Sequence, residues 1–385
     1  MKLLHVIPSL DPKGGGPIEG VVQRARNLQG SGHSCHVVCF DEPGEPYLEG
    51  LPLTTHPLGR GALGYAYNPK LVPWLKENLE SFDAVIIEGL WQYHAFGAWR
   101  ALRRSQKPYF VFTHGMLDPW FKHTYPLKHL KKWLYWPWGQ YPVLRDAKAV
   151  LFTCEEERIL ARQSFWLYKA NEVVVGYGAA SPVGDALQQC DLFISQYPEL
   201  KGKRNILFLS RIHEKKGCDL LIEAFAKVAE QDEALHLVMA GPDQTGWQKE
   251  LVVLSSKLGI ENRITWTGML SGDLKWGAYH AADVFVLPSH QENFGVVVAE
   301  ALACGVPTLI SNKVNIWREV EADGAGIVSD DTIEGATALF EKWLAMDATA
   351  QVAMREKAVV CFEERFEMGK AAQNLIDVIG GNKYG

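Results

Sequence analysis

Two glutamates, Glu292 and Glu300, are the residues whose type and spacing most clearly point to chemistry. The apolar run 284–287 precedes them and predicts a buried strand, so Glu292 falls in the following turn and Glu300 about two helical turns further on. Turns after parallel strands line a ligand crevice. The N–H groups at the start of the next helix bind anions, and here they belong to Asn293, Phe294 and Gly295. Carboxylates beside an anion site suit sugar and ribose hydroxyls, so the stretch predicts a site for a sugar nucleotide.

Both glutamates also have a simpler structural interpretation. Glu292 would then cap the helix, and Glu300 would be a solvated helix residue. The other residues of the run 296–303 are all apolar, however, and a carboxylate in such surroundings needs a partner. We therefore favour the binding roles, in which Glu292 faces the sugar and Glu300 faces the ribose.

The flanks of this pair resemble a known family. The strand ends in Pro288-Ser289, and the helix ends in Ala303, which Cys-Gly-Val-Pro follows. With these flanks, the Glu-x7-Glu pattern resembles the retaining glycosyltransferases of family 4, which have the GT-B fold. The resemblance implies an α/β protein with two doubly wound parallel-sheet, Rossmann-like domains facing a central cleft, and a C-terminal helix that crosses back. It also implies a nucleotide diphosphate sugar as donor, transfer with retention of configuration, and no required metal.

Two cations, Arg211 and Lys216, follow the predicted strand 205–209 and precede a predicted helix. Such a pair can hold a diphosphate and stabilise the charge that grows on it as a glycosidic bond breaks. The alternative is a solvated basic loop. The stretch is similar to the Gly-Arg-x4-Lys-Gly motif of family 4, with Ser210 in place of the first glycine, and this similarity favours the diphosphate role.

His114 lies two residues after the end of the predicted strand 109–112, at the edge of the sheet where ligands bind. Its simplest interpretation is a buried or merely hydrogen-bonded histidine. The resemblance to family 4 implies instead that it contacts the transferred sugar. His114, Arg211, Lys216 and Glu292 together form the predicted catalytic set.

Two further turns are candidates for donor binding. The first predicted strand, 3–7, leads into a glycine-rich loop and a helix, a pattern that suits phosphate binding; the alternative is a merely flexible loop. The resemblance places Gly15 and Gly16 of this loop near the donor phosphates and the acceptor. It also implies that the backbone around Met269 and Leu270 meets the base, although both side chains could equally be plain core.

The segment 118–146 combines aromatic and basic residues. Its aromatic residues are Trp120, Phe121, Tyr125, Trp133, Tyr135, Trp136, Trp138 and Tyr141. The interleaved basic residues are Lys122, His123, Lys128, His129, Lys131 and Lys132. Such a segment suits a membrane interface or a lipid-phosphate acceptor. The alternative is a helix packed on its own domain by its tryptophans, with its lysines in solvent.

Strands and helices alternate twice along the chain, which predicts two doubly wound domains. We expect an acceptor-side domain over residues 1–180, a nucleotide-sugar-binding domain over 181–365, and a helix over 366–385 that packs on the first domain. The small-residue stretch 176–182 is the predicted linker.

Composition excludes several classes of protein. A net charge of −6 argues against general nucleic-acid binding. Seven scattered cysteines without metal-ligand spacing disfavour a disulfide framework or a structural zinc site and suit a reducing cytosol. The first ten residues do not read as a signal peptide, and no run reaches the ~18 apolar residues that a membrane span needs. We expect a cytoplasmic protein, or one at the inner face of the membrane.

The resemblance to family 4 implies a hexosyltransferase of cell-surface or extracellular polysaccharide synthesis. UDP is the favoured nucleotide and GDP the alternative, the acceptor is a glycan or a lipid-linked glycan, and neither a cofactor nor a metal is expected. Two other functions stay open. A GT-B epimerase of sugar nucleotides would need further acid/base carboxylates, and a non-catalytic sensor would be indicated by loss of Arg211, Lys216 or Glu292, all of which are present.

Overall fold

The structure is a computed structural model that describes residues 1–381, with the side chain of His123 excepted. The final residues of the predicted segment 366–385, numbers 382–385, lie outside the described part. The chain divides into two compact units. The first unit contains Met1–Gly178 together with the chain from Met368 onward, and the second contains Ala179–Glu367.

The first unit is built on a seven-stranded parallel sheet. Its central strands are buried on both faces, which explains their near-continuous apolar sequences. The strands are β1 (Lys2–Val6), β2 (Ser34–Cys39), β3 (Thr54–Pro57), β4 (Ala84–Glu88), β5 (Tyr109–Phe112), β6 (Ala149–Phe152) and β7 (Glu172–Val174). Their order in the sheet is β3-β2-β1-β4-β5-β6-β7.

Helices connect these strands, and most of them bury apolar residues against the sheet. They are α1 (Gly16–Gly30), α2 (Leu71–Asn78), α3 (Tyr93–Leu102), α4 (Trp120–Thr124), α5 (Pro126–Tyr135), α6 (Tyr141–Arg145) and α7 (Glu155–Ala161). Between α5 and α6, residues Trp136–Gln140 form one turn of π-helix. Trp136 is fully buried there and stacks on Phe165, with ring centroids 4.6 Å apart.

The second unit has a six-stranded parallel sheet in the order β10-β9-β8-β11-β12-β13. Its strands are β8 (Arg204–Leu209), β9 (Leu235–Ala240), β10 (Ile264–Gly268), β11 (Val284–Leu287), β12 (Thr308–Ser311) and β13 (Gly326–Ser329). Its helices are α8 (Ala186–Gln196), α9 (Cys218–Ala229), α10 (Gln248–Lys257), α11 (Gly272–His280), α12 (Val296–Ala303), α13 (Trp317–Ala322), α14 (Ile333–Leu344) and α15 (Ala348–Cys361).

The last described helix, α16 (Met368–Ile379), belongs to the first unit. Leu375 and Ile376 share a core cluster with Leu28 of α1 and with residues of the first sheet. A strongly amphipathic helix at the end of the chain thus completes the domain with which the chain began.

The predicted fold class, two doubly wound α/β domains, is confirmed. In each sheet the strand order reverses next to its first strand, between β1 and β4 and between β8 and β11. Ligands of such sheets bind beyond the carboxyl ends of the strands at this reversal. Gly15, Arg211, Lys216 and Glu292 lie in the turns after β1, β8 and β11, whereas His114 follows the neighbouring strand β5 and Met269 follows β10. No helix within residues 1–381 is both long enough and apolar enough to cross a membrane.

Candidate functional site

In the second unit, the turns after β8 and β11 bring Lys216 and Glu292 together. The Nζ of Lys216 donates a hydrogen bond to Oε2 of Glu292, and Lys216 is only 6% exposed. Burial by itself would raise the pKa of Glu292, but the charge of Lys216, with Lys215 and Arg211 nearby, outweighs burial and holds that pKa below its ordinary value. Glu292 is therefore a carboxylate at neutral pH. Its interpretation as a helix cap is wrong, because Gly295 occupies the cap position and no side chain caps α12.

Tight backbone packing sets this geometry. Gly217 has a positive φ of 64°, and a Cβ atom there would lie 2.3 Å from the carbonyl oxygen of Pro288. The loop after β8 can therefore rest directly on the backbone after β11 only because residue 217 is glycine. The N–H of His290 also donates to the carbonyl of Lys215 at 2.9 Å, which joins the two turns again next to the ion pair.

Arg211 differs from Lys216 in being exposed. It directly follows Ser210, and the next residue, Ile212, donates its N–H to the carbonyl of Pro242 at 3.0 Å. The guanidinium acts electrostatically on Glu292, so the two cations and the carboxylate belong to one site. An exposed cation beside a partly buried ion pair leaves a charge available to an anionic ligand.

The start of α12 provides backbone donors at the same place. Gly295 has a φ of 77°, and the first internal hydrogen bond of the helix runs from the N–H of Val298 to the carbonyl of Gly295 at 2.8 Å. The preceding N–H groups therefore have no partner within the helix. The side chain of Phe294 is 4% exposed and packs edge-on against Phe366, 5.6 Å away, so it belongs to the core. Any contact of Phe294 with a ligand is thus one of its backbone.

Glu300 lies in the middle of α12 and is 8% exposed, so its interpretation as a solvated helix residue is wrong. Its Oε1 lies 2.8 Å from Nζ of Lys275, and its Oε2 accepts a hydrogen bond from the hydroxyl of Tyr279 at 3.0 Å. Sequence analysis missed Lys275 as a partner. Lys275 and Tyr279 lie four residues apart on α11 and hence on one face of that helix, but this spacing does not by itself indicate contact with Glu300.

Met269 and Leu270 follow β10, at the edge of the second sheet. The side chain of Met269 is 74% exposed, and that of Leu270 is partly buried. Met269 is therefore not a core residue. Its exposure leaves it available to a base, and that contact remains a prediction.

In the first unit, the buried carboxylate of Glu88 forms the centre of a charged network that sequence analysis missed. Glu88 ends β4 and accepts hydrogen bonds from Nδ1 of His5 at 2.7 Å, Nη2 of Arg24 at 3.1 Å and Nε2 of His114 at 2.5 Å. Burial would raise the pKa of Glu88, but Arg24 and the two histidines outweigh burial and hold it well below its ordinary value. The overlooked signal was a glutamate at the end of an otherwise apolar strand. This strand lies next to the point where the strand order of the sheet reverses.

His5 carries the counter-charge from the neighbouring strand β1. Burial would lower its pKa, but hydrogen bonds to Cys35 and Glu88 raise it to about 9. His5 is therefore protonated at neutral pH. A fully buried ion pair thus links β1 and β4, the two strands between which the strand order reverses.

His114 is held in place from two sides. Its φ of 48° is unusual for a residue other than glycine, and Glu157 of α7 fixes the turn by accepting hydrogen bonds from the N–H of Gly115 and the hydroxyl of Thr113, both at 2.6 Å. Its imidazole stacks on Phe112 and is 4% exposed. The structure thus shows a largely buried, hydrogen-bonded histidine at a strand end. The predicted contact with the transferred sugar is a separate claim and stays a prediction.

Gly15 and Gly16 lie in the exposed loop between β1 and α1. Gly15 has a φ of 81° and precedes the helix, and Gly16 is its first residue. The hydroxyl of Tyr177 donates a hydrogen bond to the carbonyl of Gly16. The ring of Tyr177 also packs edge-on against the imidazole of His114. Tyr177 therefore links this loop to the turn that carries His114. Phosphate binding at this loop remains a prediction.

Comparison with known proteins places the chain in a family. A model described as "Glycosyl transferase 4-like domain" matches residues 15–178, and a model described as "Glycosyl transferases group 1" matches residues 174–360. The two models thus account for the first and the second unit in turn.

Curated relatives and solved structures agree with these matches. A D-inositol 3-phosphate glycosyltransferase of Salinispora tropica is 30% identical over 46% of this chain and 38% of its own length. A mannosylfructose-phosphate synthase of Agrobacterium fabrum is 33% identical over 39% of this chain and 33% of its own length. The Anabaena protein HepE, solved in complex with UDP, has the same fold with a TM-score of 0.79 and 18% identity, over 99% of this chain and 100% of that one.

The chain belongs to the family 4 type of glycosyltransferases with the GT-B fold. The predicted family is thereby confirmed. The matched stretches span about a third to two-fifths of the length of the curated relatives.

Proposed function

We propose that this protein transfers a hexose from a nucleotide diphosphate sugar to a glycan or lipid-linked acceptor, with retention of configuration, in the synthesis of cell-surface or extracellular polysaccharide. The observation that carries the proposal is the common location of Arg211, Lys216 and Glu292 beside the start of α12. Two cations and helix N–H groups suit a diphosphate, and the carboxylate suits sugar hydroxyls. UDP is the favoured nucleotide, which the UDP complex of HepE supports, and GDP is the alternative.

Each residue of this site has its own role. Arg211 and the N–H groups at the start of α12 bind the diphosphate, and Lys216 neutralises both Glu292 and the charge that develops on the leaving oxygen. Glu292 accepts hydrogen bonds from the sugar. Glu300, oriented by Lys275 and Tyr279, accepts from the ribose, and the backbone near Met269 and Leu270 contacts the base.

Transfer then proceeds on the front face of the sugar. The bond between the anomeric carbon and the diphosphate oxygen breaks, the acceptor oxygen bonds to the same face of that carbon, and the acceptor proton passes to the departing diphosphate oxygen. Arg211 and Lys216 stabilise the resulting charge. Fixed cations supply the electrostatic stabilisation, so the proposal requires no metal ion or other cofactor.

His114 serves the sugar in this proposal, and the buried network positions it. Because Glu88 is ionised, Nε2 of His114 carries the proton of their 2.5 Å hydrogen bond. Nδ1 is then the ring nitrogen that Glu88 does not hold. The network thus fixes the orientation of the ring towards the sugar.

A screen of thermal unfolding against UDP-glucose, UDP-galactose, GDP-mannose and free UDP tests donor binding, because a ligand of the native state raises its stability. We expect a UDP-sugar to raise the melting temperature most. The increase should be largely lost in Arg211→Ala and kept in Lys249→Ala, which removes an exposed cation from α10. No increase with any sugar nucleotide would contradict the proposal.

The other two functions have distinct outcomes. An epimerase would convert the sugar nucleotide without an acceptor, which proton NMR of the donor detects. A sensor would bind the donor but release no UDP, even to water over long incubation. Slow release of UDP supports transfer when the remaining sugar nucleotide shows no epimer.

Peripheral membrane contact through 118–146 is a second part of the proposal. On the solvent side of α5 and the following turn lies an apolar stripe that consists of Leu127, Leu130, Leu134 and Trp138, with exposures of 78%, 54%, 61% and 78%. Lys122 and Lys131 are exposed on the same segment. Exposed leucines and a tryptophan beside lysines suit the interface of an anionic membrane. We accordingly propose a cytoplasmic location at the inner face of the membrane.

A further inference from the structure

A hollow of about 240 Å³ opens in the first unit shortly after the turn that carries His114. Its wall includes Met116 and Asp118, which follow that histidine by two and four positions, and it continues along α5. The carbonyl of Met116 accepts a hydrogen bond from Nε1 of Trp91 at 3.1 Å, so this part of the wall is anchored to the domain. The volume lies below the roughly 300–1,000 Å³ of pockets for drug-sized ligands, which suits a ligand with a single ring.

Two lysines of α5, Lys128 and Lys132, line this hollow. They lie four residues apart and therefore on one face of the helix, where like charges repel each other. Among residues 1–381, neither forms an ion pair with a carboxylate. Instead, the ammonium of Lys128 lies 4.7 Å from the ring centroid of Tyr125, and that of Lys132 lies 4.6 Å from the ring centroid of Trp91.

Lys132 is partly buried, and burial together with the nearby charge of Lys128 lowers its pKa. Two ammonium groups on one face of α5 repel each other, and a bound anion between them would remove that repulsion. Asp118 also lines the hollow, and its Oδ1 accepts from the N–H of Trp120 at 2.8 Å. This carboxylate adds an acceptor for hydroxyl groups at the end of the hollow nearest His114 in the chain.

Aromatic rings form much of the remaining wall. Phe121 and Phe165 line the hollow together with His129, whose ring stacks on Phe165 with centroids 4.7 Å apart. The aromatic faces provide an apolar surface for the carbon skeleton of a ring. The hollow therefore combines cations, an acceptor and an apolar wall in one small volume.

We infer that this hollow binds the phosphate group of a phosphorylated acceptor between Lys128 and Lys132, with the ring of the acceptor against Phe121 and Phe165. The inference rests on the proposed function, since it names the chemical class of the acceptor. The phosphate belongs either to a soluble ring phosphate or to a lipid headgroup, and both present the same anion to the lysines. The experiment separates these two sources.

Calorimetry with glucose 6-phosphate tests the soluble source, with glucose as the uncharged reference. Flotation with phosphatidylcholine vesicles, with and without phosphatidylinositol phosphate, tests the lipid source. Lys132→Met removes the charge and keeps most of the side chain over Trp91, and Lys132→Arg keeps the charge. The matched control is Lys169→Met, an equal loss of charge at an exposed lysine outside the hollow.

We expect at least one phosphate source to bind the wild type, with affinity reduced about tenfold or more in Lys132→Met, restored in Lys132→Arg and unchanged in Lys169→Met. If calorimetry shows this pattern, the phosphate belongs to a soluble ring phosphate, and if flotation shows it, the phosphate belongs to a lipid headgroup. Failure of both arms, or equal binding by wild type and Lys132→Met, would overturn the inference. A melting temperature for each variant excludes loss of fold, and UDP binding, measured in parallel, tests the proposed function separately.

Discussion

Nζ of Lys275 lies 2.8 Å from Oε1 of Glu300, and both groups are largely withdrawn from solvent. The second carboxylate of the Glu-x7-Glu pair is therefore already neutralised by a lysine of the preceding helix. A ribose bound to Glu300 must share this carboxylate with Lys275 and Tyr279, which limits the directions from which its hydroxyls can approach.

From this pair we predict that Glu300→Ala weakens binding of free UDP about 10- to 100-fold, the range for a hydrogen bond to a charged group. Glu292→Ala should leave UDP affinity close to that of wild type but weaken binding or turnover of the intact sugar nucleotide. Calorimetry with UDP and with the donor measures both. Equal losses for both ligands in both variants would contradict this division of roles.

Lys275→Met should destabilise the second unit by about 1–3 kcal/mol, because it leaves the buried carboxylate of Glu300 without its cation. Urea unfolding measures the effect. Lys249→Met, a loss of the same charge at an exposed site, is the control and should change stability by less than about 0.5 kcal/mol. An equal effect of the two substitutions would show that the pair contributes nothing to stability.

Arg211→Ala is expected to slow transfer about 10²–10³-fold, as is typical for loss of one charge-stabilising donor. Its exposure predicts little change in stability. Lys216→Ala should slow transfer similarly and also lower stability, because it strands the Glu292 carboxylate. Turnover near that of wild type in both variants would refute the diphosphate site.

The buried network of the first unit predicts a particular dependence of stability on pH. The pKa of His5 is raised from 6.5 to about 9, so its contribution is fully present below pH 6.5 and is lost as pH rises towards 9. The pKa of Glu88 is lowered from 4.5, so its contribution is present above pH 4.5 and is lost as pH falls below it. Maximum stability is therefore expected between these limits.

Urea unfolding across pH 5–10 tests this expectation. The free energy of unfolding of the wild type should fall by up to about 3 kcal/mol between pH 6.5 and 9. This loss arises because His5 binds one proton in the folded state but not in the unfolded state over the interval between its two pKa values. His5→Gln should be less stable at pH 5.5 but should show a flatter profile on the alkaline side. If the free energy of unfolding of that variant falls as steeply with pH on the alkaline side as that of the wild type, His5 is not the cause of the alkaline loss.

Activity is predicted to persist in EDTA, because Arg211 and Lys216 supply the positive charge that a metal ion would otherwise provide. Within residues 1–381, no group of three or more His, Cys, Asp and Glu side chains is placed to hold a metal ion. UDP release with and without EDTA measures the effect. Abolition by EDTA, with recovery on adding manganese or magnesium, would disprove the prediction.

The apolar stripe on α5 predicts binding to anionic vesicles at low salt. Leu127→Glu should reduce co-sedimentation, because it places a negative charge at a contact that favours lysine and apolar side chains. Leu187→Glu on α8 is the matched control, since Leu187 is equally exposed at 78%. If wild type stays in solution, or both substitutions reduce binding equally, the stripe is not a membrane surface.

The alternation of apolar strands and amphipathic helices predicted both domains, and this part of the fold follows from sequence because each element carries its own periodicity. The same holds for the positions of Arg211, Glu292 and His114 in the turns after strands, since each lies within five residues of the end of an apolar run. Asn293, Phe294 and Gly295 were placed at the start of the helix, whereas α12 begins at Val296, because Gly295 adopts a positive φ that delays the helix.

Tertiary structure alone decided which charges meet. Nothing in the sequence joins Lys275 to Glu300, or His5 and Arg24 to Glu88, because their spacing along the chain carries no periodic signal and their contacts arise only when separate strands and helices pack. Likewise, the tryptophans of segment 118–146 look alike in sequence, yet Trp136 is buried and Trp138 is 78% exposed. Local pattern determines which elements form, whereas the partners of polar groups depend on how those elements pack, since a buried charge is stable only where the fold brings it a counter-charge.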